Sequence, residues 1–356
     1  MDRFAELRRT LDKAMTGLEI GPWYNPIAPR SDGWKTTIVD YQDQEALQEA
    51  ALRHVSETAR TRADEIEEVD IVWSGQPLDE LALAKNPEGY DFVIASHVIE
   101  HTPDILGFLQ QCSRLLKPDG IISLAVPDMR KCFDVVKMPT AIREVLAAHR
   151  ERRTRHTPET LFEARSRGAT RNSAGAWLSG TRTPPITLPS SYSDALERYR
   201  LDVEAIGKDT PYVDAHAWFF TPASFKLTIF ELNEMGLLGY GIASLVESHG
   251  SEFIVQMRRS PGKVVRGQDK INAEKVKLTM QHYAEIDAEL APEYREIAPV
   301  KIVKEIVRET VKVEVPAPPA SETMPTRDVA KLLAVRLWRK ALTVAGLAKP
   351  GPLPIR

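Results

Sequence analysis

Between residues 17 and 126, short apolar runs alternate with helical stretches, and this alternation limits the fold more than any single motif. Residues 17–20, 36–39, 69–73, 91–96 and 121–126 read as strands, with helices over 44–59, 77–84 and 103–116 between them. Strands this short and this continuously apolar suit burial on both faces, and an intervening helix is what joins two parallel neighbours. The pattern predicts βαβ units and a Rossmann-like, doubly wound α/β sheet covered on both sides.

Local signals sharpen the pattern. For the helix over 103–116, Thr102 can cap the start, Pro103 suits the first position and Asp104 suits the positive end. Ile105, Leu109, Cys112 and Leu116 form its inner stripe, and Lys117-Pro118-Asp119-Gly120 stops it. Phe4, Leu7, Leu11 and Met15 predict an amphipathic helix over residues 1–15. From 129 to about 213 the alternation fails in a stretch rich in Arg, Thr, Ser and Pro, with helical pieces near 141–150 and 158–167. A helix over 222–235 follows, then strands at 240–246 and 252–257 flanking the hairpin turn Glu247-Ser248-His249-Gly250-Ser251. The sheet is therefore expected to be mostly parallel, with an antiparallel C-terminal hairpin and a helical insertion after the fifth strand. That insertion emerges at the carboxyl edge, where open α/β sheets bind ligands.

Composition removes several function classes. A formal net charge of -3 supplies no field for nucleic acid, so none is expected as a partner. The cysteines, Cys112 and Cys132, are too few for a disulfide framework or a metal knuckle, and Cys112 sits on an apolar stripe. The charged start lacks a secretion signal's apolar core, and no run of about eighteen apolar residues spans a bilayer; a cytoplasmic protein is expected.

The strand ends carry the chemistry. Gly21 lets backbone approach a ligand just after the first strand. Glu19 is an acid inside an apolar strand, where an unpaired carboxylate is costly. It either pairs with a nearby Lys or Arg or faces the cationic end of a cofactor. Asp40 ends the second strand, where an acid can accept hydrogen bonds from both ribose hydroxyls, in AdoMet (S-adenosylmethionine) and NAD alike. The first loop separates the two. A dinucleotide site wants G-x-G-x-x-G so that a helix amino terminus meets pyrophosphate, whereas Gly21 is followed by Pro22, Trp23, Tyr24, Asn25 and Pro26.

With LEIGP followed by NP, the IVDY strand, and DFVIASHVIEH with LLKPDG, residues 15–258 resemble AdoMet-dependent class I methyltransferases of the broad type 11 group. The resemblance extends to a bacterial branch with an EIGPxxxP loop and an ASHVIEH strand end. It implies that Glu19, Gly21 and Pro22 bind AdoMet, that Asp40 holds the ribose, and that Trp73 and Ser74 border the adenine. Ser96 and His97 would sit beneath the sulfonium. The sequence departs from the family at Trp23, which stands in the second glycine position, and at Ser74, where an Asp is common.

Methyl transfer is an in-line displacement that needs alignment and exclusion of water, and an alcohol acceptor also needs a base. His97, Glu100, His101 and Asp128 could face one cleft, and His97, His101 and Asp128 are the catalytic candidates. For His101 a purely structural role at a helix start competes evenly. No metal is expected: His97-x-x-Glu100-His101 straddles a strand end and a loop, and no third ligand is identified. Arg143, His149, Arg150, Arg152, Arg153 and Arg155 could meet a phosphate or carboxylate, or form a solvated helical face. Tyr212, His216, Trp218 and Phe219 can stack on a sugar or fill core.

The domain order expected is a methyltransferase domain at 1–260 with a substrate-specificity insertion at 129–215. A charged helical segment and Pro-rich linker follow at 261–320, then a basic amphipathic tail at 321–356. In residues 327–356 bases outnumber acids seven to one, with Leu333, Leu337, Trp338 and Leu342 along one helical side, so this part can touch a membrane surface or a protein partner. The leading reading is methyl transfer to a hydroxyl of a small molecule or glycan precursor. A second is a catalytically inactive assembly module that docks through the tail. An NAD-dependent oxidoreductase is disfavoured by the missing glycines and by the lack of a well-placed Tyr-x-x-x-Lys pair. The sequence sets no oligomeric state.

Overall fold

Seven strands form one sheet: β1 (Thr16–Ile20), β2 (Lys35–Asp40), β3 (Ile71–Val72), β4 (Tyr90–Ser96), β5 (Leu116–Pro127), β6 (Tyr240–Glu247) and β7 (Glu252–Arg259). In the computed structural model, which describes residues 2–248, 250–260 and 266–297, their order is β3-β2-β1-β4-β5-β7-β6. The first five run parallel, and β7 is antiparallel to both β5 and β6. This is the doubly wound sheet with an antiparallel C-terminal pair that the alternation implied. Ten helices accompany it among the described residues: α1 (Arg3–Leu7), α2 (Gln44–Arg53), α3 (Glu57–Thr61), α4 (Leu78–Lys85), α5 (Ile105–Leu115), α6 (Ile142–Glu151), α7 (Pro158–Ser166), α8 (Tyr192–Glu204), α9 (Pro222–Glu234) and α10 (Gln268–Ile297).

The period-two alternation of β4 shows how the core divides. Val93 and Ala95 point to one face, where they pack with Leu18, Ile20 and Leu124 against Ile105, Leu109 and Cys112 of α5. Phe92 and Ile94 point to the other, where Leu7, Ile27, Ala28 and Trp34 cover them. Both faces are dry, which is why the strands read as continuous apolar runs.

Several boundaries differ from the expected ones. The helix expected over residues 1–15 ends at Leu7, and farther on Asp12 turns the chain by accepting from the Ala14 amide at 2.8 Å; Phe4, Leu11 and Met15 still pack on the Leu7 cluster. The helix expected over 44–59 breaks at His54 and restarts as α3, capped by Ser56. Asp104, not Thr102, caps α5 by accepting from the Gly107 amide at 2.8 Å, while the Thr102 hydroxyl donates to the Ile99 carbonyl. β5 begins early, at Leu116, and loops out residues 117–120 before Ile121 resumes pairing with Phe92. α8 was not anticipated.

The compact unit extends past residue 260 to Ile297. Lys275 of α10 pairs with Glu231 of α9 at 2.8 Å, and the Ala223 amide donates to Glu285 at 3.0 Å. Residues 298–356, with the expected linker and tail, lie outside the described residues, as does His249 of the expected turn. No helix among the described residues is long and apolar enough to cross a membrane.

Candidate active site

Strand register assembles the site. Ile20 pairs with both Val39 and Ala95, so the following residues, Gly21, Asp40 and Ser96, reach the carboxyl edge at one level. Asp40 pairs with Val72, which brings Trp73 alongside. The strand order reverses between β1 and β4, and the crevice outside that point is where this topology receives ligands. Two non-glycine residues with left-handed backbone flank it, Trp23 at φ +46° and His97 at φ +54°. Such conformations cost on the order of 1–3 kcal/mol each and cluster at functional sites.

Gly21 turns the chain out of β1 at φ +65°, with its amide donating to the Val39 carbonyl at 2.8 Å. Asp40 then organises the loop: its carboxylate accepts from the Trp23 amide at 3.2 Å and the Tyr41 amide at 2.8 Å. Burial pushes its pKa up against those two bonds. Each oxygen retains a lone pair for a further donor. Trp23 occupies the second glycine position by donating its ring N–H to the Leu47 carbonyl at 3.3 Å and packing into the cluster under α2. Pro22 lies between these two residues on the loop.

Glu19 takes neither of the roles expected for it. Its two oxygens accept from the amides of Ile27 and Ala28 at 2.6 and 2.9 Å, tying the far end of the loop to β1. Burial lifts its pKa from 4.5 to about 7, against the pull of those two amides. A carboxyl that binds its proton more tightly when folded loses stabilising effect as pH rises from about 4.5 to about 7, by on the order of 3 kcal/mol. Urea unfolding of wild type and Glu19→Gln across that range checks this. The variant should start lower, through one broken amide bond, but show a flatter pH profile; parallel profiles would clear Glu19.

Trp73 donates its amide to the Asp40 carbonyl at 2.8 Å and its ring N–H to the Gln76 carbonyl at 2.7 Å. Ser74 is exposed and bonded both ways to the Gln76 side chain. Ser96 accepts a hydrogen bond from Arg3 of α1, which also pairs with Glu252 at 2.7 Å. The N-terminal helix thus reaches the strand ends, a contact that sequence reasoning missed.

Histidines and carboxylates gather beside Ser96. His97 Nε2 lies 2.7 Å from Glu252, which opens β7. Burial pulls the His97 imidazole down, but the carboxylates of Glu100 and Glu252 outweigh it and hold the pKa near 9. His101 Nδ1 lies 2.8 Å from Asp214, and His216 Nδ1 lies 2.7 Å from Asp134. Burial also opposes the charged form of His101, and Asp214 and Glu100 reverse it, so its pKa is raised. The rings of His101 and His216 meet edge to face at 4.5 Å. At neutral pH His97 is a held cation rather than a free base. Of these partners, Glu252 had a sequence signal, an acid opening an apolar strand; Asp134 and Asp214 had none.

The family described as a methyltransferase domain matches residues 1–166. Residues 1–166, just under half of the chain, are thus similar to a methyltransferase domain. A 42-residue stretch is 45% identical to a ubiquinone biosynthesis O-methyltransferase of Haemophilus ducreyi; that match spans 12% of this chain and 18% of the relative, about a fifth of its length. Among solved structures, the chain is similar to the CcbJ methyltransferase of Streptomyces caelestis, at 12% identity and a TM-score of 0.36, over 72% of this chain and 94% of that one. It is also similar to an S-adenosylmethionine-dependent methyltransferase of Mesorhizobium loti, at 12% identity and a TM-score of 0.32, over 71% and 95% of the two chains.

Asp128, expected in the cleft of the methyltransferase domain, is not there. It is fully buried, and its carboxylate accepts from the Arg130 guanidinium and amide and lies 3.3 Å from Lys131 Nζ. The reason is local: two bases follow it immediately, and β5 ends by turning them inward. The basic residues of the insertion are likewise dispersed. His149 pairs with Asp104 at 2.9 Å, Arg150 and Arg153 with Glu151, and Arg155 with the carbonyls of Thr210 and Pro211. Arg143 sits on the surface beside Glu144, and Arg152 ends α6. They form no common anion pocket. Trp218 and Phe219 are core, and Tyr212 donates to or accepts from His156 at 2.9 Å.

Proposed function

We propose that this protein transfers a methyl group from AdoMet to an oxygen of a small-molecule or glycan acceptor. The observation that carries the reading is the level edge of Gly21, Asp40 and Ser96 at the sheet's switch point, within the part of the chain similar to a methyltransferase domain. In this reading the turn at Gly21 and Pro22 admits the methionine part, and Asp40 takes the ribose hydroxyls on its free lone pairs. Trp73 and Ser74 border the adenine. Ser96 and His97 stand nearest the sulfonium, and Glu19 shapes the loop from behind. Oxygen as the acceptor atom is supported by His101 and the Glu100 carboxylate beside it, which can take the proton a hydroxyl must lose, while the His97 cation can only hold the acceptor oxygen.

Asp40→Ala should weaken AdoMet binding by about 1–3 kcal/mol, a roughly 5- to 150-fold rise in Kd, through lost ribose hydrogen bonds. Calorimetry on the full chain measures this, with a thermal melt to show that the Trp23 loop survives. Equal affinity in wild type and variant would remove Asp40 from the ribose site. No binding by wild type at millimolar AdoMet would defeat the enzyme reading and leave an assembly module.

A further inference from the structure

Glu100 lies next to the switch-point crevice at 1% exposure, and neither of its carboxylate oxygens accepts a hydrogen bond. A buried carboxylate in that condition is costly, and the His97 cation stands 3.5 Å from it without a hydrogen bond. Three imidazole nitrogens surround its Oε1: His97 Nδ1 at 3.5 Å, His101 Nε2 at 3.8 Å and His216 Nε2 at 3.9 Å. These separations are too long for good hydrogen bonds.

They are close to what a shared ion would impose. The ligand atoms of Glu100, His101 and His216 all lie within 4.8 Å of one another. Donors held about 2.0–2.2 Å from one ion sit roughly 3–3.5 Å apart, so closure asks for about half an ångström between Glu100 and each imidazole and at most roughly 1.5 Å across the widest pair. The far nitrogens are already committed. Asp214 stands 2.8 Å from His101 Nδ1, and Asp134 stands 2.7 Å from His216 Nδ1. At His216 the Asp134 carboxylate accepts the Nδ1 ring proton and leaves the Nε2 lone pair free, the arrangement of carboxylate–histidine–metal triads, while Asp214 faces His101 Nδ1 as a charge partner. Asp134 is itself steadied by Lys137 at 2.7 Å. Backbone pins the two halves together, with the Ala217 amide donating to the Glu100 carbonyl at 2.8 Å.

We propose that Glu100, His101 and His216 bind one divalent first-row transition-metal ion. Two imidazoles and one carboxylate suit Zn2+ and Co2+, and three protein ligands leave a position for water or an oxygen ligand. Asp134 and Asp214 are positioning residues, and His97, held at its other nitrogen by Glu252, stands beside the set. The proposal does not rest on methyl transfer, and its test uses neither substrate nor AdoMet.

The experiment takes the full chain without a histidine tag, strips it with a chelator and titrates it with Co2+. Equilibrium dialysis measures stoichiometry, and visible absorption reports imidazole ligation. Wild type should take up one ion per chain. Glu100→Gln and His216→Ala should each weaken binding at least 100-fold, and Asp134→Asn about 10- to 100-fold. His54→Ala, at an exposed histidine, should change nothing. Because a core variant can unfold, wild type alone gives a second readout: its melting temperature in chelator should rise with added Co2+ or Zn2+ by mass action. Failure of wild type to bind with that stoichiometry, an unmoved melting temperature, or binding that persists in folded Glu100→Gln would each overturn the site.

Discussion

Asp128→Ala is expected to cost about 3–5 kcal/mol of stability, because it strands two buried cations. Arg130 is 5% exposed and Lys131 3% exposed, and Asp128 lies between them at the end of β5. Its carboxylate takes the Arg130 Nε–H at 2.8 Å and the Arg130 amide at 3.1 Å, with Lys131 Nζ at 3.3 Å. Without it, Arg130 keeps Glu247 at 3.1 Å, a partner half in solvent, and Lys131 keeps the Ser248 carbonyl at 3.1 Å. Urea unfolding at neutral pH should show a large fall in midpoint. Adding Arg130→Met should recover part of the loss, since an apolar side chain needs no counter-charge. A variant that melts with wild type yet loses turnover would return Asp128 to the active site.

The other large effect is expected at Gly17 in the central strand β1. A Cβ built there falls 1.9 Å from Phe92 Cζ and 2.0 Å from Cε2. The ring cannot withdraw, since Phe92 is fully buried and stacks edge to face on Trp34 at 5.9 Å. The backbone cannot withdraw either, since β1 is hydrogen-bonded to β2 on one side and β4 on the other. Gly17→Ala should therefore cost about 3 kcal/mol, at the upper end of overpacking effects. Combining it with Phe92→Leu should cost less than the sum of the two single changes. A single variant within about 0.5 kcal/mol of wild type would mean that the ring moves freely.

These two sites show where sequence reading stopped. Gly17 was legible as a strand residue, but a glycine inside a strand announces only a bulge or a close approach, and Phe92 lies far along the chain. Asp128 was legible as an acid at a strand end, where it looked like its neighbours Asp40 and Glu100. Its fate was decided by Arg130 and Lys131 turning inward, which no periodicity foretells. Glu19 repeats the point, with amides of its own loop, rather than a Lys, an Arg or a ligand, taking both oxygens.

By itself the sequence determined the alternation of strands and helices, the parallel sheet with its antiparallel pair, and the residues that end each strand. Those follow from short-range physics, period two or 3.6 and the turn chemistry of Gly, Pro and Asp. Only tertiary structure decided which charges meet: Glu252 with His97, Asp214 with His101, Asp134 with His216, Arg130 with Asp128. A buried charge accepts whichever opposite partner the packed fold delivers, and that partner can come from any distance along the chain.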